Sequence, residues 1–273
     1  MSAPTTSGQE SRVARPDNDE RPFSGLRMLI EYLGAKSLGI VEHVGAIFLL
    51  FMEAGGWVWR AAVDRKVRLG WRAIVTQIIR VGVRSVGIVS LVSGCVGLIL
   101  AFQLSPPLDQ FGNKELVANI IGVAVLRELG PLIAAIVLTG FAGASIAAEI
   151  GTMVVGEEIE ALEAHALNPV KFLVVPRVLA AVVSMTCLAV ISNVVSITAA
   201  LLVCMLALDI PYSTYMSNTL DQVKLVDFWT GVVKGGIFGL LIGLIASYNG
   251  LRVTGGAAGV GQATTNTVVQ SVV

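Results

Sequence analysis

The sequence is short of charge. Only 14% of its 273 residues are Asp, Glu, Lys or Arg, and the two signs cancel at 19 each. A formal charge of zero gives no reason to expect nucleic acid as a partner. Cysteine is scarce, and Cys95, Cys187 and Cys204 all lie in apolar runs without paired spacing, so they read as small packing residues rather than a disulfide framework. The two histidines, His43 and His165, stand alone, and no His/Cys/Asp/Glu grouping has the spacing of a metal site. No phosphate-cradling loop is present: Gly34-Ala35-Lys36-Ser37 lacks the upstream glycine and follows no strand. A Gly-x-Ser-x-Gly elbow is missing too. With no catalytic residue to nominate, the chain is not expected to be an enzyme by itself. If it drives transport, the energy comes from another subunit.

What is there in abundance is apolar surface. The hydrophobic fraction is 55% and the mean hydropathy is +0.79, values of an all-α polytopic membrane protein. Residues 1–25, rich in Pro, Ser, Thr, Asp and Arg, read as a disordered cytoplasmic tail, and no cleavable signal peptide is recognised. From Leu26 to Trp59 the apolar run is punctured by Glu31, Lys36, Glu42, His43 and Glu53. Trp57, Trp59 and Trp71 then cluster with Arg60, Arg65, Lys66, Arg68 and Arg72, the mark of a membrane interface. This segment reads as one or two interfacial helices, with a true first span as the other reading.

Clear spans follow over 84–109, ended by Pro106-Pro107, and over 129–148, bracketed by Glu128 and Glu149. A long third run covers 178–208 and a fourth span about 228–248, with a partly helical external loop between them. A last apolar run opens at the glycines after Val253 and is expected to be an incomplete fifth span. The basic cluster before residue 72 puts the amino-terminal side in the cytoplasm. The loop between the second and third clear spans is then cytoplasmic as well.

That loop is the most charged part of the spanning region. Glu149 to Pro169 holds five of the nineteen acidic residues. It predicts a helix over about 156–167, with Gly156 as N-cap, acidic residues in the first turn and a stop at Asn168-Pro169. Val155, Ile159, Leu162 and Ala166 form a narrow apolar stripe opposite the glutamates, so the helix reads either as a solvated loop helix or as a docking helix for a basic partner. In the fourth span Gly231, Gly235, Gly239 and Gly243 repeat every four residues, as Ala135, Thr139, Gly143 and Ala147 do in the second. Such faces serve close helix packing, either within the subunit or at a dimer seam. Arg127-Glu128 before Leu129-Gly130-Pro131, and Lys234 inside the fourth span, are candidates for a substrate path or for ordinary surface charges.

Several stretches, in this order, resemble the MlaE/YrbE permeases of lipid-transporting ABC systems that work with MCE proteins. They are Arg127 to Pro131, Ala147 to Met153, Glu157 to Leu162, Asn168-Pro169 and Val174 to Arg177, then Asn249-Gly250, Gly259 to Gly261 and Ala263 to Thr265. The likeness covers roughly 30–273 and is greatest to the actinobacterial YrbE branch, A-type. It implies a permease domain over 26–273, with an interfacial amino-terminal helix and five spans, the last continuing past Val273. Glu157, Glu158, Ile159, Glu160, Ala161 and Leu162 would be the coupling helix toward a dimer of ATPase subunits. Those subunits would use ATP and Mg, while this chain binds no cofactor directly. A second YrbE chain, a ring of MCE proteins and a lipid are the other implied partners, in the inner (plasma) membrane. Fatty acids, mycolic acids or sterols are the implied cargo, and import the implied direction. Phe141 departs from the family, where many relatives carry arginine, and this weighs against a symmetric homodimer. Two rival readings are a passive scaffold that anchors MCE proteins and an ion-coupled secondary transporter. The second lacks midplane carboxylates and an inverted repeat.

Overall fold

The computed structural model describes residues 24–63, 70–113 and 116–273. The expected tail lies outside them up to residue 23, as do Arg65, Lys66 and Arg68. All regular structure among the described residues is helical: α1 Ser24–Val63, α2 Trp71–Val81, α3 Val86–Gln110, α4 Leu116–Ala124, α5 Gly130–Leu138, α6 Ala144–Val155, α7 Glu158–Ala164, α8 Val175–Ala207, α9 Tyr212–Gln222, α10 Leu225–Leu251 and α11 Gly256–Val272. Wider π turns at Val125–Leu129 and Thr139–Gly143 link α4, α5 and α6, and a third at Val170–Val174 leads into α8. The chain divides into a short unit up to Ala46 and a main unit, Ile47–Val273. The features that bear on function lie in the main unit.

Among the described residues, five stretches are long and apolar enough to cross a membrane: Gly34–Val63, Trp71–Gln110, Leu116–Val155, Val170–Ala207 and Leu225–Leu251. The protein is thus an all-α polytopic membrane protein. Residues 24–63 form one continuous helix, and by length and composition its Gly34–Val63 part meets the requirement of a span. The run expected as an incomplete fifth span forms α11, which starts behind a left-handed Gly255 and at 17 residues is not among the five stretches.

Proline explains two of the three π turns. Pro131 and Pro176 each stand two residues after one, at the start of α5 and α8. A proline inside a helix clashes with the carbonyl four residues back, and one extra residue per turn relieves the conflict. Pro106-Pro107 do not end their helix as the sequence suggested. They sit inside α3, which runs on to Gln110 and stops at Gly112, φ +69°. The pair leaves the Phe102 and Gln103 carbonyls without their helical donors, and less than one further turn follows it.

α8 is the hub, with α2, α3, α5 and α10 packed around it. Its seam with α3 is small and polar. Val89, Ser93, Gly97, Ala101 and Ser105 form the buried edge of α3 at four-residue spacing, a pattern the sequence reading passed over. Ser93 and Ser192 hydroxyls lie 2.7 Å apart, and Ser196 donates to the Ser93 carbonyl at 2.8 Å. The glycine row of α10 is spent inside the chain. Gly235, Gly239 and Gly243 lie against α8, and Gly231 lies against the π turn at Leu126. At Gly239 a β-carbon would stand 2.7 Å from both the Ala181 carbonyl oxygen and the Met185 Cβ. Gly239→Val is therefore expected to cost about 1–3 kcal/mol by overpacking, read as a lower thermal midpoint in detergent. Gly236→Ala, whose new methyl meets only the Thr186 hydroxyl at 3.5 Å, should leave the midpoint unchanged.

α9 packs on α4, and its buried Tyr215 donates to the Ile197 carbonyl of α8 at 3.5 Å. Burial, with a smaller contribution from Cys204, pushes this phenol above its ordinary range, so it stays a donor.

Candidate functional site

Two ionic groups lie at different heights along the bundle. The first is built on the π turn Val125–Leu129. By sequence the second span starts just after Glu128, at Leu129. The helical run instead begins at Leu116, so Arg127 and Glu128 lie within it, about 18 Å from its start at ~1.5 Å per residue. A charge stopped the count from sequence, but a charge with a partner need not end a span. Here the partners come from α10. Asp227, Gly231 and Lys234 share a face at i, i+4, i+7. Gly231 lets that face press on the turn, and the two charges flank the contact. Lys234 Nζ reaches Glu128 Oε1 at 2.5 Å and the Arg127 carbonyl at 3.4 Å. Arg127 meets Asp227 at 3.8 Å. Asp227 also accepts from the Lys224 N–H at 3.1 Å, which caps α10.

The structure thus brings Arg127, Glu128 and Lys234 together and adds Asp227, which the sequence reading missed. Its signal was the spacing around Gly231. Asp227 is buried, whereas the Glu128 and Lys234 side chains are 62% and 38% exposed, so the pair faces outward from the bundle. Beside it, Leu225, Val226, Trp229, Thr230, Val233 and Lys234 line a shallow groove of about 480 Å³. An apolar trough that ends at paired charges of both signs fits an amphiphile.

The second group lies near α7. Glu149 on α6 accepts from Arg80 of α2 at 2.9 Å, from Arg177 of α8 at 3.0 Å, and from Gln77 at 3.4 and 3.5 Å. Arg177 is 4% exposed and also donates to the Leu173 carbonyl at 2.8 Å. One carboxylate therefore ties three helices together. Glu149, like Glu128, marks a span edge by sequence alone but lies inside the helical run Leu116–Val155.

α7 itself is shorter than expected, at seven residues. Gly156 is not its N-cap. It closes α6, and the left-handed Glu157, φ +57°, precedes α7. Asn168-Pro169 is not the stop. The chain turns at Ala166, φ +57°, with Leu167 N–H bonding back to the Leu162 carbonyl at 3.0 Å. Asn168 instead accepts from Lys171 N–H and donates to Glu53 of α1 at 3.1 Å each. Of the apolar stripe, Ile159 packs on the core and Leu162 is half-buried, while Val155 and Ala166 are exposed. Glu157, Glu158, Glu160 and Ala161 point to solvent. Among the described residues no group of His, Cys, Asp and Glu has metal-holding geometry.

Residues 74–273 match the family model of the permease MlaE. The chain belongs to the MlaE permease family. This MlaE-family chain is 38% identical over 187 residues to a probable ABC transporter permease protein of Rickettsia bellii, covering 68% of this chain and 72% of that one. A probable ABC transporter permease protein of Synechocystis is 32% identical over the same length, 68% of this chain and 71% of its own. The chloroplastic protein TRIGALACTOSYLDIACYLGLYCEROL 1 of Arabidopsis thaliana is 31% identical over 238 residues, 87% of this chain and 64% of its own. Both ionic groups, α7 and the glycine face fall inside the matched region. The MlaE-family chain is a permease subunit, a non-catalytic component of a transporter.

Proposed function

We propose that this permease is the membrane core of an ATP-driven lipid transporter, with the ion-paired π turn and the adjoining groove of α10 forming its lipid path. The observation that carries the reading is the Arg127–Asp227 and Glu128–Lys234 quartet beside a trough of apolar side chains. Charges inside a span are costly and persist where they have work to do, and a zwitterionic or anionic headgroup would exchange with such pairs. The trough would hold the chain of the same molecule.

ATP and Mg act at a separate ATPase dimer, which docks on the acidic outer face of α7. The resemblance of the motif stretches to actinobacterial YrbE proteins supports the finer reading. In it a second, non-identical permease chain completes the core, and a ring of MCE proteins stands on the outer side. The cargo is fatty acid, mycolic acid or sterol, moving inward across the inner membrane. The basic cluster ahead of α2 supports a cytoplasmic amino terminus, with α7 on the same side.

Glu128→Gln and Lys234→Met are each expected to cut lipid-dependent transport at least about tenfold without changing subunit assembly. The exchange Glu128→Lys/Lys234→Glu should recover part of the loss. Transport is measured in proteoliposomes with the full complex. Unchanged transport in both single variants would make the quartet a surface feature. A complex whose ATPase rate does not respond to lipid would favour a passive scaffold.

A further inference from the structure

We propose that the outer face of α2, continued along α3, is a binding site for an anionic phospholipid of the membrane leaflet at that end of the bundle. α2 buries Ile74, Gln77 and Val81 against its neighbours and turns Arg72, Thr76 and Arg80 outward, and Arg84 follows just after it. Thr76, Ile79, Arg80 and Arg84 line a cavity of about 400 Å³. No acidic residue occurs in the sequence between Asp64 and Asp109, so this face carries no anion of its own. Among the described residues, the carboxylate paired with this face is Glu149, shared between Arg80 and the buried Arg177. Two cations against one anion leave positive charge uncompensated at Arg80, with Arg72 and Arg84 on either side. The Thr76 hydroxyl is committed to the Arg72 carbonyl at 2.8 Å, and Thr76 shares the cavity wall with Arg80 and Arg84.

The apolar part of the ligand is matched as well. From Arg84 the residues Ile88, Leu91, Cys95, Ile99 and Phe102 follow at i+4, i+7, i+11, i+15 and i+18, and all are exposed. They form a rail about 27 Å long, at ~1.5 Å per residue, on one side of α3. A cationic head at the end of an apolar rail is complementary to one phosphate-bearing lipid, not to a free phosphate. Anionic lipids draw basic residues at the membrane surface by about 1 kcal/mol each. The site differs from the proposed transport path, because it is built on α2 and α3 rather than on the π turn and α10. Its Arg80 also touches the Glu149 tie between α2, α6 and α8, so lipid occupancy bears on how firmly those helices are held together.

The test is native mass spectrometry of the full complex, released from nanodiscs that contain phosphatidylcholine and phosphatidylglycerol. Wild type should retain phosphatidylglycerol over phosphatidylcholine. Arg72→Gln/Arg84→Gln, which leaves Arg80 on Glu149, should lower that preference about 30-fold, from ~1 kcal/mol per cation. Arg84→Lys should retain it, and thermal midpoints of both variants should match wild type. Equal retention of the two lipids by wild type would overturn the proposal, as would an unchanged preference in the double variant. Displacement of phosphatidylglycerol by inorganic phosphate alone would overturn the assignment to a lipid. A cross-link from Ile88→Cys to a second permease chain would overturn it in favour of a protein partner. Transport assays are read separately, so failure here leaves the proposed lipid path standing.

Discussion

Glu160→Lys/Leu162→Asp is expected to abolish co-purification of the ATPase while the helices stay folded. The two substitutions act on different sides of α7. Glu160 faces solvent among Glu157 and Glu158, a concentration of negative charge on two turns of helix. Reversing a charge at a docking surface typically costs about 2–5 kcal/mol of association where the pair is buried in the complex. Leu162 is half-buried next to Ile159, which packs on the main core. A carboxylate at Leu162 removes that seat. A helix of seven residues is not stable alone, so its position depends on the seat and on its two ends. The amino-terminal end is held by Glu157 N–H on the Val154 carbonyl at 3.1 Å, and the carboxy-terminal end by the turn at Ala166 and by Asn168 on Glu53, beyond which Lys171 covers the Trp57 ring at 5.2 Å. A knob fixed in this way can pass a push to α6 and α8, as coupling requires of an element with two sets of contacts. Affinity capture of the complex, with circular dichroism of the permease, reads the result. Normal ATPase recovery with the double variant would remove α7 from the docking role.

The largest loss of stability is expected from Glu149→Ala. It would strand Arg177, whose side chain is 5% exposed, without its carboxylate. Removing one partner of a buried pair costs about 3–5 kcal/mol, because the remaining charge is still desolvated. The thermal midpoint in detergent should fall accordingly, and α2 should become more accessible to protease as Arg80 and Gln77 lose their acceptor. Glu149→Leu/Arg177→Met should recover most of the loss, since an apolar pair of similar volume carries no buried charge. If Glu149→Ala shifted stability by less than about 1 kcal/mol, the tie would be incidental.

The two ionic groups show where reading a sequence of this kind runs short. Span edges were placed at Glu128 and Glu149 because an isolated charge is expensive in lipid. The cost disappears when Lys234 and Arg177 arrive from residues far along the chain. No spacing rule announces such a meeting. Asp227 was legible in principle, four residues before a glycine already marked for close approach, but only the contact of Gly231 with Leu126 gives that spacing a meaning. The acidic helix was recognised by its composition, whereas its ends were not. Gly156 and Asn168-Pro169 were the strongest local signals, yet left-handed Glu157 and Ala166 set the limits. Both are held by backbone bonds to neighbouring turns, which outweigh the intrinsic preference of those residues.

The sequence by itself determined that this chain is an all-α membrane protein, and it offers no recognisable phosphate-cradling loop. Hydropathy, span length and the missing phosphate loop are local properties, and no arrangement of the helices could change them. Tertiary structure decided what the few charges and glycines are for. It spent the glycine row on α8 and the π turn at Leu126, turned two apparent span edges into cross-helix ties, and exposed Glu157, Glu158 and Glu160 while seating Ile159 and Leu162. The physical reason is that a charge or a small residue inside a membrane acquires its free energy from its partner, and the partner is chosen by packing.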